Sequence, residues 1–370
     1  MKFSVNQKDL QNSLNYCQGV IEKRSTLPIL SNVLLEAKDS NLKITATDLD
    51  LIFIQNISNI EISDEGETTT SCSIMYDIVR KFNNEKKINF NLVSENKLNL
   101  ESDKSTFNLN CIKASEFPIT ESNFKENEFQ INSKKLLNLL NKCKFSVSND
   151  ETRHYLSGIF LHITEKENKK YLTAVATDSH RMAISKTLIT DEIKFEPIIL
   201  PKKTIFQLCS LLGDFDGDIK ISNLKSKIKF EFNEIILMSK LIDGKFPNYY
   251  QVIPKDNQKK LEIDLKPFLI SVDRVASVSL DKKDGLRMNL REDNLNLSVN
   301  NSNSGDGKES LPVKFEHELD ISFNPRYLID VASNLDGNKV EIFLKDSASP
   351  ALIKDPSDFD SIYVIMPMKG

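Results

Sequence analysis

Four histidines, His154, His162, His180 and His317, are the imidazoles available for chemistry, and His180 stands two residues from a carboxylate in Thr177-Asp178-Ser179-His180-Arg181. Positions two apart on a strand share a face, so Asp178 and His180 have the spacing of a metal-assisted or acid–base hydrolytic pair. No HxH or HExxH pattern supplies a metal-ligand set, and no GxSxG, GxxxxGKS/T or GxGxxG supplies a nucleophile elbow or a phosphate cradle. A related stretch, Thr47-Asp48-Leu49-Asp50, keeps Thr-Asp without a histidine, which marks the aspartate as a turn element. The expectation is a protein that is not an enzyme and needs no metal or cofactor. A hydrolase built on Asp178 and His180 is the alternative, and a repeat scaffold that binds peptides without touching DNA is another.

The elements that would position any site repeat along the chain. Phe3-Ser4-Val5-Asn6 alternates as a strand does, and Leu10, Leu14, Cys17 and Ile21 then follow at the spacing of one helix face. Phe129-Gln130-Ile131-Asn132 with Leu136, Leu140, Cys143 and Val147 repeats the pattern 126 residues on, and Leu261-Glu262-Ile263-Asp264 with Phe268, Val272, Val275 and Ser279 repeats it a further 132 on. A second helix recurs as Met75, Ile78 and Phe82, then Ile205, Leu208 and Leu212, then Leu328, Val331 and Leu335. Ser73, Pro201 and Asn324-Pro325 are start signals for it. Alternating segments between the helices predict meandering strands. The fold class is therefore α+β, with three like units at 1–122, 123–254 and 255–370. The polar stretches Thr120 to Asn127 and Lys255 to Lys260 are expected as linkers, and Asn300 to Gly307 as a loop.

At 370 residues, 39% hydrophobic and 28% charged, the chain can bury real cores. Its 49 basic and 53 acidic residues leave a net charge of −4, which argues against a nucleic-acid binder coated in positive charge. The charge is uneven: segments 7–24, 73–87, 133–144, 201–212, 265–280 and 324–335 carry +10 together, and the remainder −14. Cationic helices on an acidic scaffold suit a channel for a polyanion, although solvated lysines on helix surfaces give the same count. Without a base-reading motif, DNA contact would be to the backbone and independent of sequence. The charged start Met1 to Asp9 does not read as an export signal, no run nears the roughly 20 apolar residues of a membrane span, and five cysteines lack any CxxC pair. A cytoplasmic protein with free thiols and no membrane contact is expected.

Four segments, Arg24-Ser25-Thr26-Leu27-Pro28-Ile29-Leu30-Ser31-Asn32, Ala176-Thr177-Asp178-Ser179-His180-Arg181-Met182-Ala183, Asp243-Gly244-Lys245-Phe246-Pro247-Asn248-Tyr249 and Val364-Ile365-Met366-Pro367-Met368-Lys369, together resemble the bacterial DNA polymerase III beta subunit, or sliding clamp, family. The resemblance covers essentially the full chain. It implies three clamp domains, each with two helices packed on β-sheets, and a ring made by a head-to-tail homodimer around duplex DNA. It also implies a processivity role: tethering the polymerase III catalytic subunit, the clamp loader, and other polymerases and repair proteins that carry clamp-binding peptides.

By the same resemblance, the peptide-binding residues are Leu156, Thr177, His180, Arg181, Met182, Pro247, Val252, Asn324, Tyr327, Val364, Met366, Pro367 and Met368. Arg24, Arg153, His154 and Tyr155 match duplex-contacting positions, and Lys202 and Lys203 are added on charge grounds. Phe107 and Leu109 are expected to meet the region of Val278 in a second copy. Ser179, Gln251 and the terminal Lys369-Gly370 depart from the family pattern, and the departures bear on peptide preference.

Overall fold

Six helices appear where the apolar spacing places them: α1 (Gln7–Gln18), α2 (Cys72–Val79), α3 (Ser133–Lys144), α4 (Lys202–Leu212), α5 (Leu265–Ala276) and α6 (Pro325–Ala332). The computed structural model describes all residues except 25, 84–85, 119–127, 190–192, 194, 279–283 and 369–370. The expected linker at Thr120 to Asn127, the repeat position Ser279 and the terminal Lys369-Gly370 lie outside the described residues.

Each helix opens directly off a strand, and its apolar stripe is what it buries. In α1, Leu10, Leu14 and Cys17 are fully buried, and in α5 so are Phe268, Val272 and Val275. Burying a side chain of that size contributes about 1.5–3 kcal/mol, so three per helix outweigh the weak helix propensity of the β-branched and aromatic residues involved. At the start of α6, Asn324 accepts a bond from the Arg326 amide at 3.0 Å and Pro325 takes the first helical position.

The helices are shorter than the periodicity suggests. α2 begins at Cys72, capped by Ser71 rather than Ser73, and ends at Val79, so Lys87 starts a strand instead of extending the helix. Pro201 ends a strand, and α4 opens one residue later. Counted over the observed helices the charge is +6, four of it on α3 and two on α4, so the expected +10 is too high. Asn300 to Gly307 is also not a loop. Strands Asn294–Asn301 and Gly305–Pro312 pair through it, and Asn301 Oδ1 closes the turn by accepting the amides of Asn303 and Ser304. Lys259 and Lys260 belong to a strand rather than a linker.

The described chain divides into two compact units that cut across the sequence repeats. One comprises 1–137, 191–196 and 203–241, the other 138–190, 197–202 and 242–370. The first unit holds a sheet of thirteen strands. The joint between repeats in this sheet pairs strand Ile235–Lys240 of the second repeat with strand Leu51–Ser58 of the first, in the register Ile235↔Gln55 to Ser239↔Leu51. The second unit holds a sheet of eight strands whose joint pairs Arg181–Ile189 with Asp358–Ile365, in the register Arg181↔Ile365 to Ser185↔Ser361, and a separate sheet of four. The second repeat is thus shared, half of its strands completing a sheet with the first repeat and half with the third. No helix among the described residues is long and apolar enough to cross a membrane.

Candidate functional site

The strand–turn–strand around Asp178 positions most of the predicted peptide-binding residues, all of which lie in the second unit. Asp178 Oδ1 accepts the amides of His180 and Arg181, both at 3.0 Å, and its Oδ2 accepts Arg181 Nε at 3.1 Å. Thr177 Oγ1 accepts the Ser179 amide at 3.1 Å and donates to the Arg181 carbonyl at 2.7 Å. Both oxygens of Asp178 are therefore committed to holding a turn. His180 faces Tyr327, ring centroids 6.5 Å apart, and no group of three metal-capable side chains occurs among the described residues. This geometry gives the hydrolase alternative on Asp178 and His180 no support: the carboxylate is a backbone staple.

Arg181 anchors the turn to the third repeat. Its Nη1 donates to Asp330 on α6, its Nη2 donates to the Phe145 carbonyl at 2.6 Å, and its guanidinium lies 4.5 Å from the Tyr327 ring centroid. Planar donors fanned over a carboxylate, a carbonyl and an aromatic face suit arginine and not lysine. Asn324 and Tyr327 sit at the start of the same helix, where the Tyr327 amide donates to the Asn324 carbonyl at 3.1 Å.

Leu156, Met182 and Val364 fall together in one buried cluster with Phe246 and Tyr249, their side chains at most 7% exposed. Behind them Phe160 stacks on Phe246 at 4.9 Å and on His162 at 4.6 Å, and His162 Nε2 lies 3.0 Å from Tyr249 Oη. Burial holds the His162 pKa below its usual value. Pro247 stands in the chain between Phe246 and Tyr249 of this wall of rings, which sequence reasoning missed. The only signal was the Phe-Pro-Asn-Tyr run itself.

Val252 and Met366, in contrast, are 46% and 38% exposed. They line a groove of about 550 Å³ with Ile253 and Pro350, and Met366, Pro367 and Met368 line a second groove of about 670 Å³ with Ile321 and Ser322. The Met366 amide donates to the His180 carbonyl at 2.8 Å and the Met368 amide to the Ser322 carbonyl at 2.8 Å, so the carboxy-terminal segment is pinned between the two grooves. The predicted set therefore divides into a turn with its arginine, a buried floor and two open grooves that meet at Met366.

The predicted DNA-contacting residues are divided between the units. Arg24 is exposed in the first. Lys203, also in the first, donates to Asp48 Oδ2 at 2.6 Å and to the Val20 carbonyl at 2.7 Å, which ties a half-exposed ammonium to two acceptors of the fold. In the second unit, Arg153 donates to Asp150 Oδ2 at 2.9 Å and Ser179 Oγ at 2.6 Å, His154 Nε2 lies 3.1 Å from the Asp243 carbonyl, Tyr155 packs on the hydrophobic cluster, and Lys202 bonds Asn149 Oδ1. Charge on a helix is not charge available to a ligand. On α3, Lys142 is only 3% exposed and bonds the Asn334 carbonyl at 2.6 Å and Asp336 at 2.8 Å, whereas Lys135 is exposed.

Of the residues expected at a contact between copies, Phe107 is 38% exposed and Leu109 is buried on strand Ser105–Ile112. Val278 lies in the other unit, half-buried, its carbonyl accepting Ser304 Oγ.

Comparison with known proteins decides what this arrangement belongs to. Family models of the DNA polymerase III beta subunit match in order and almost end to end: the N-terminal domain over residues 1–121, the central domain over 130–248 and the C-terminal domain over 250–369. The chain belongs to the beta sliding clamp family. Beta sliding clamps of Caulobacter vibrioides and Rickettsia felis are each 34% identical to it, over 373 and 383 aligned residues, with all of both chains covered. Among solved structures, the sliding clamp of Bartonella birtlesii bound to griselimycin superposes with a TM-score of 0.96 at 33% identity, all of both chains covered. The clamp of Caulobacter crescentus gives 0.94 at 34% identity, covering 100% of this chain and 99% of that one. Sliding clamps are non-catalytic processivity factors of DNA polymerase III, so the chain is a DNA sliding clamp of three like α+β domains and not an enzyme. Neither the hydrolase nor the DNA-independent peptide scaffold is supported.

Proposed function

We propose that two copies of this chain close head to tail into a ring that encloses duplex DNA without reading its sequence. The full-length match to sliding clamps carries the reading, and the strand edges support its geometry. Strand Ser105–Ile112 pairs with its neighbour Gly66–Ser71 only at Cys111 and Ile112, leaving that edge of 105–109 without a strand partner, and strand Gly305–Pro312 ends the four-stranded sheet. An open edge from each unit lets one copy's sheet continue into the next, a heterologous contact that two copies can close. Phe107, Leu109 and the neighbourhood of Val278 are the proposed contact residues. Enclosure separates residence on DNA from affinity, so weak salt-sensitive contacts from Arg24, Arg153, His154, Tyr155 and Lys202 suffice, and Lys203, expected among them, is engaged by Asp48 and the Val20 carbonyl instead.

The domains would run 1–122, 123–254 and 255–370, and each copy would take clamp-binding peptides of the polymerase III catalytic subunit, the clamp loader, and other polymerases and repair proteins. The peptide site is Leu156, Thr177, His180, Arg181, Met182, Pro247, Val252, Asn324, Tyr327, Val364, Met366, Pro367 and Met368. Grooves of mixed apolar and polar lining beside a hydrogen-bonded turn support it, as does the griselimycin-bound relative. The place of work is the cytoplasm, in keeping with five free cysteines. The deciding experiment loads the protein onto nicked circular DNA with a clamp loader and then linearises the circle. Release on linearisation is expected, and retention on linear DNA with free ends overturns enclosure.

A further inference from the structure

The floor of the peptide site stands on a chain of five rings, Phe246, Phe160, His162, Tyr249 and Tyr250, one of which can take up a proton. Phe246 stacks on Phe160 with centroids 4.9 Å apart, Phe160 on His162 at 4.6 Å, His162 meets Tyr249 edge-on at 5.7 Å, and Tyr249 stacks on Tyr250 at 4.2 Å. Phe246 and Tyr249 belong to the buried cluster that holds Leu156, Met182 and Val364, while Tyr250 at the far end is 53% exposed. Tyr249 also opens the short helical turn Tyr249–Gln251, and the Val252 amide closes it by donating to the Tyr249 carbonyl at 3.0 Å. Gln251 and Val252 line the groove of about 550 Å³. The position of Tyr249 therefore sets one wall of that groove.

The hydrogen bonds of His162 fix its tautomer. Nδ1 lies 3.3 Å from the Ile163 carbonyl, which can only accept, so Nδ1 carries the proton and Nε2 presents its lone pair. The Tyr249 hydroxyl, 3.0 Å from Nε2, is then the donor. Burial, and after it the neighbouring Tyr250 phenol, hold the Tyr249 phenol above its usual range, so it keeps a proton to give. A second proton on the imidazole has one place to go, Nε2, where it turns the acceptor of that bond into a donor. Tyr249 must then swing its own proton away, toward Tyr250, and accept from His162 instead. Phe160 covers one face of the imidazole, Thr173 stands opposite it in the strand ladder, and Tyr249 and Tyr250 are the titratable groups that face it. Its pKa is set by burial first and the Ile163 carbonyl second, with no charged side chain contributing.

We propose that His162 is a proton-responsive positioning residue of the peptide site. Neutral, it accepts the Tyr249 hydroxyl and holds the turn that forms the Val252 wall; protonated, it gives up that bond and peptide affinity falls. A bound peptide covers the groove and removes water from above the rings, which makes a charged imidazole costlier still, so peptide and proton compete. This role rests on the peptide-site reading above.

The test titrates the full-length protein with a fluorescein-labelled peptide from the clamp-binding segment of the polymerase III catalytic subunit, from about pH 7.5 down to about pH 5.5. Affinity of the parent is expected to fall about fivefold across that range. The fall should flatten in His162→Gln, which keeps an acceptor for Tyr249, and in Tyr249→Phe, which has no such bond to lose. His154 and His180 are common to all three proteins, so the comparison isolates His162. Nitrogen-15 spectra of the parent give a second reading that needs no substitution: His162 Nε2 should be unprotonated at neutral pH, and saturating peptide should lower the imidazole pKa by about 0.7, the same fivefold effect seen from the proton's side. An equal fall in parent and His162→Gln, or an imidazole pKa that peptide leaves unmoved, overturns this proposal and leaves the peptide-site reading standing. Peptide affinity untouched by Met366→Glu at neutral pH overturns that reading, and this proposal with it.

Discussion

Arg181 Nε lies 3.1 Å from Asp178 Oδ2, and the same carboxylate's other oxygen holds the backbone amides of His180 and Arg181 itself. A single aspartate thus fixes both the turn and the side chain that reaches Asp330 and the Phe145 carbonyl. With Arg181 only 10% exposed, Arg181→Ala takes a donor from two carboxylates and a carbonyl, at a cost of about 3 kcal/mol. Arg181→Lys should recover less than half of that, because one ammonium cannot span three acceptors. Urea unfolding of the two variants measures it, and full rescue by lysine would show that charge alone matters.

Removing residues 366–370 should abolish binding of a clamp-recognition peptide while leaving the oligomeric state intact. The Met366 and Met368 amides pin that segment between the two grooves by donating to the His180 and Ser322 carbonyls, and neither bond is made to strand Ser105–Ile112 or Gly305–Pro312. Peptide titration and light scattering on the same sample give both answers. Unchanged peptide affinity would remove Met366, Pro367 and Met368 from the site.

Phe107→Asp should convert the ring to monomers at micromolar concentration, since it places a charge on an exposed ring beside an open strand edge. Sedimentation velocity reads the outcome, and a dimer as tight as the parent's would mean that the contact lies elsewhere.

The two adjacent lysines should behave differently. Lys202→Ala is expected to reduce the slope of log affinity against log salt for DNA by about one, whereas Lys203→Ala should leave the slope and lower stability, because it empties the bonds to Asp48 and Val20. Equal slopes for the two variants would contradict this division.

Burial depresses the pKa of His162, so the folded state binds fewer protons than the unfolded chain once the pH falls below about 6.5. Stability is complete above that pH and declines as the pH drops toward the folded value. His162→Gln should flatten the decline between neutral and mildly acidic pH in thermal melts, and an unaltered profile would assign the acid sensitivity to other groups.

The repeat, the six helices and the motif segments were legible because apolar spacing and turn chemistry are local signals. Phe3 to Ile21 displays its pattern without help from the rest of the chain. The availability of charge was not legible. Lys142 and Lys203 look like solvated lysines in sequence, and only partners far along the chain, Asp336 and Asp48, bury the first and engage the charge of the second. The division of the second repeat between two sheets was equally hidden, since strand pairing between repeats leaves no mark on either strand. The turn role of Asp178 was legible for a simple reason: Thr47-Asp48 supplied an internal control.

That sharing of the second repeat also bears on ancestry. A repeat that finishes two sheets is not a self-sufficient cassette. Cutting the gene at either repeat boundary would bare the ladder from Ile235↔Gln55 to Ser239↔Leu51 or the one from Arg181↔Ile365 to Ser185↔Ser361, leaving sticky edges. Duplication could have tripled the sequence only if each new copy was already able to knit to its neighbour. The part that must stay whole for either sheet to close is therefore the seam as much as the repeat.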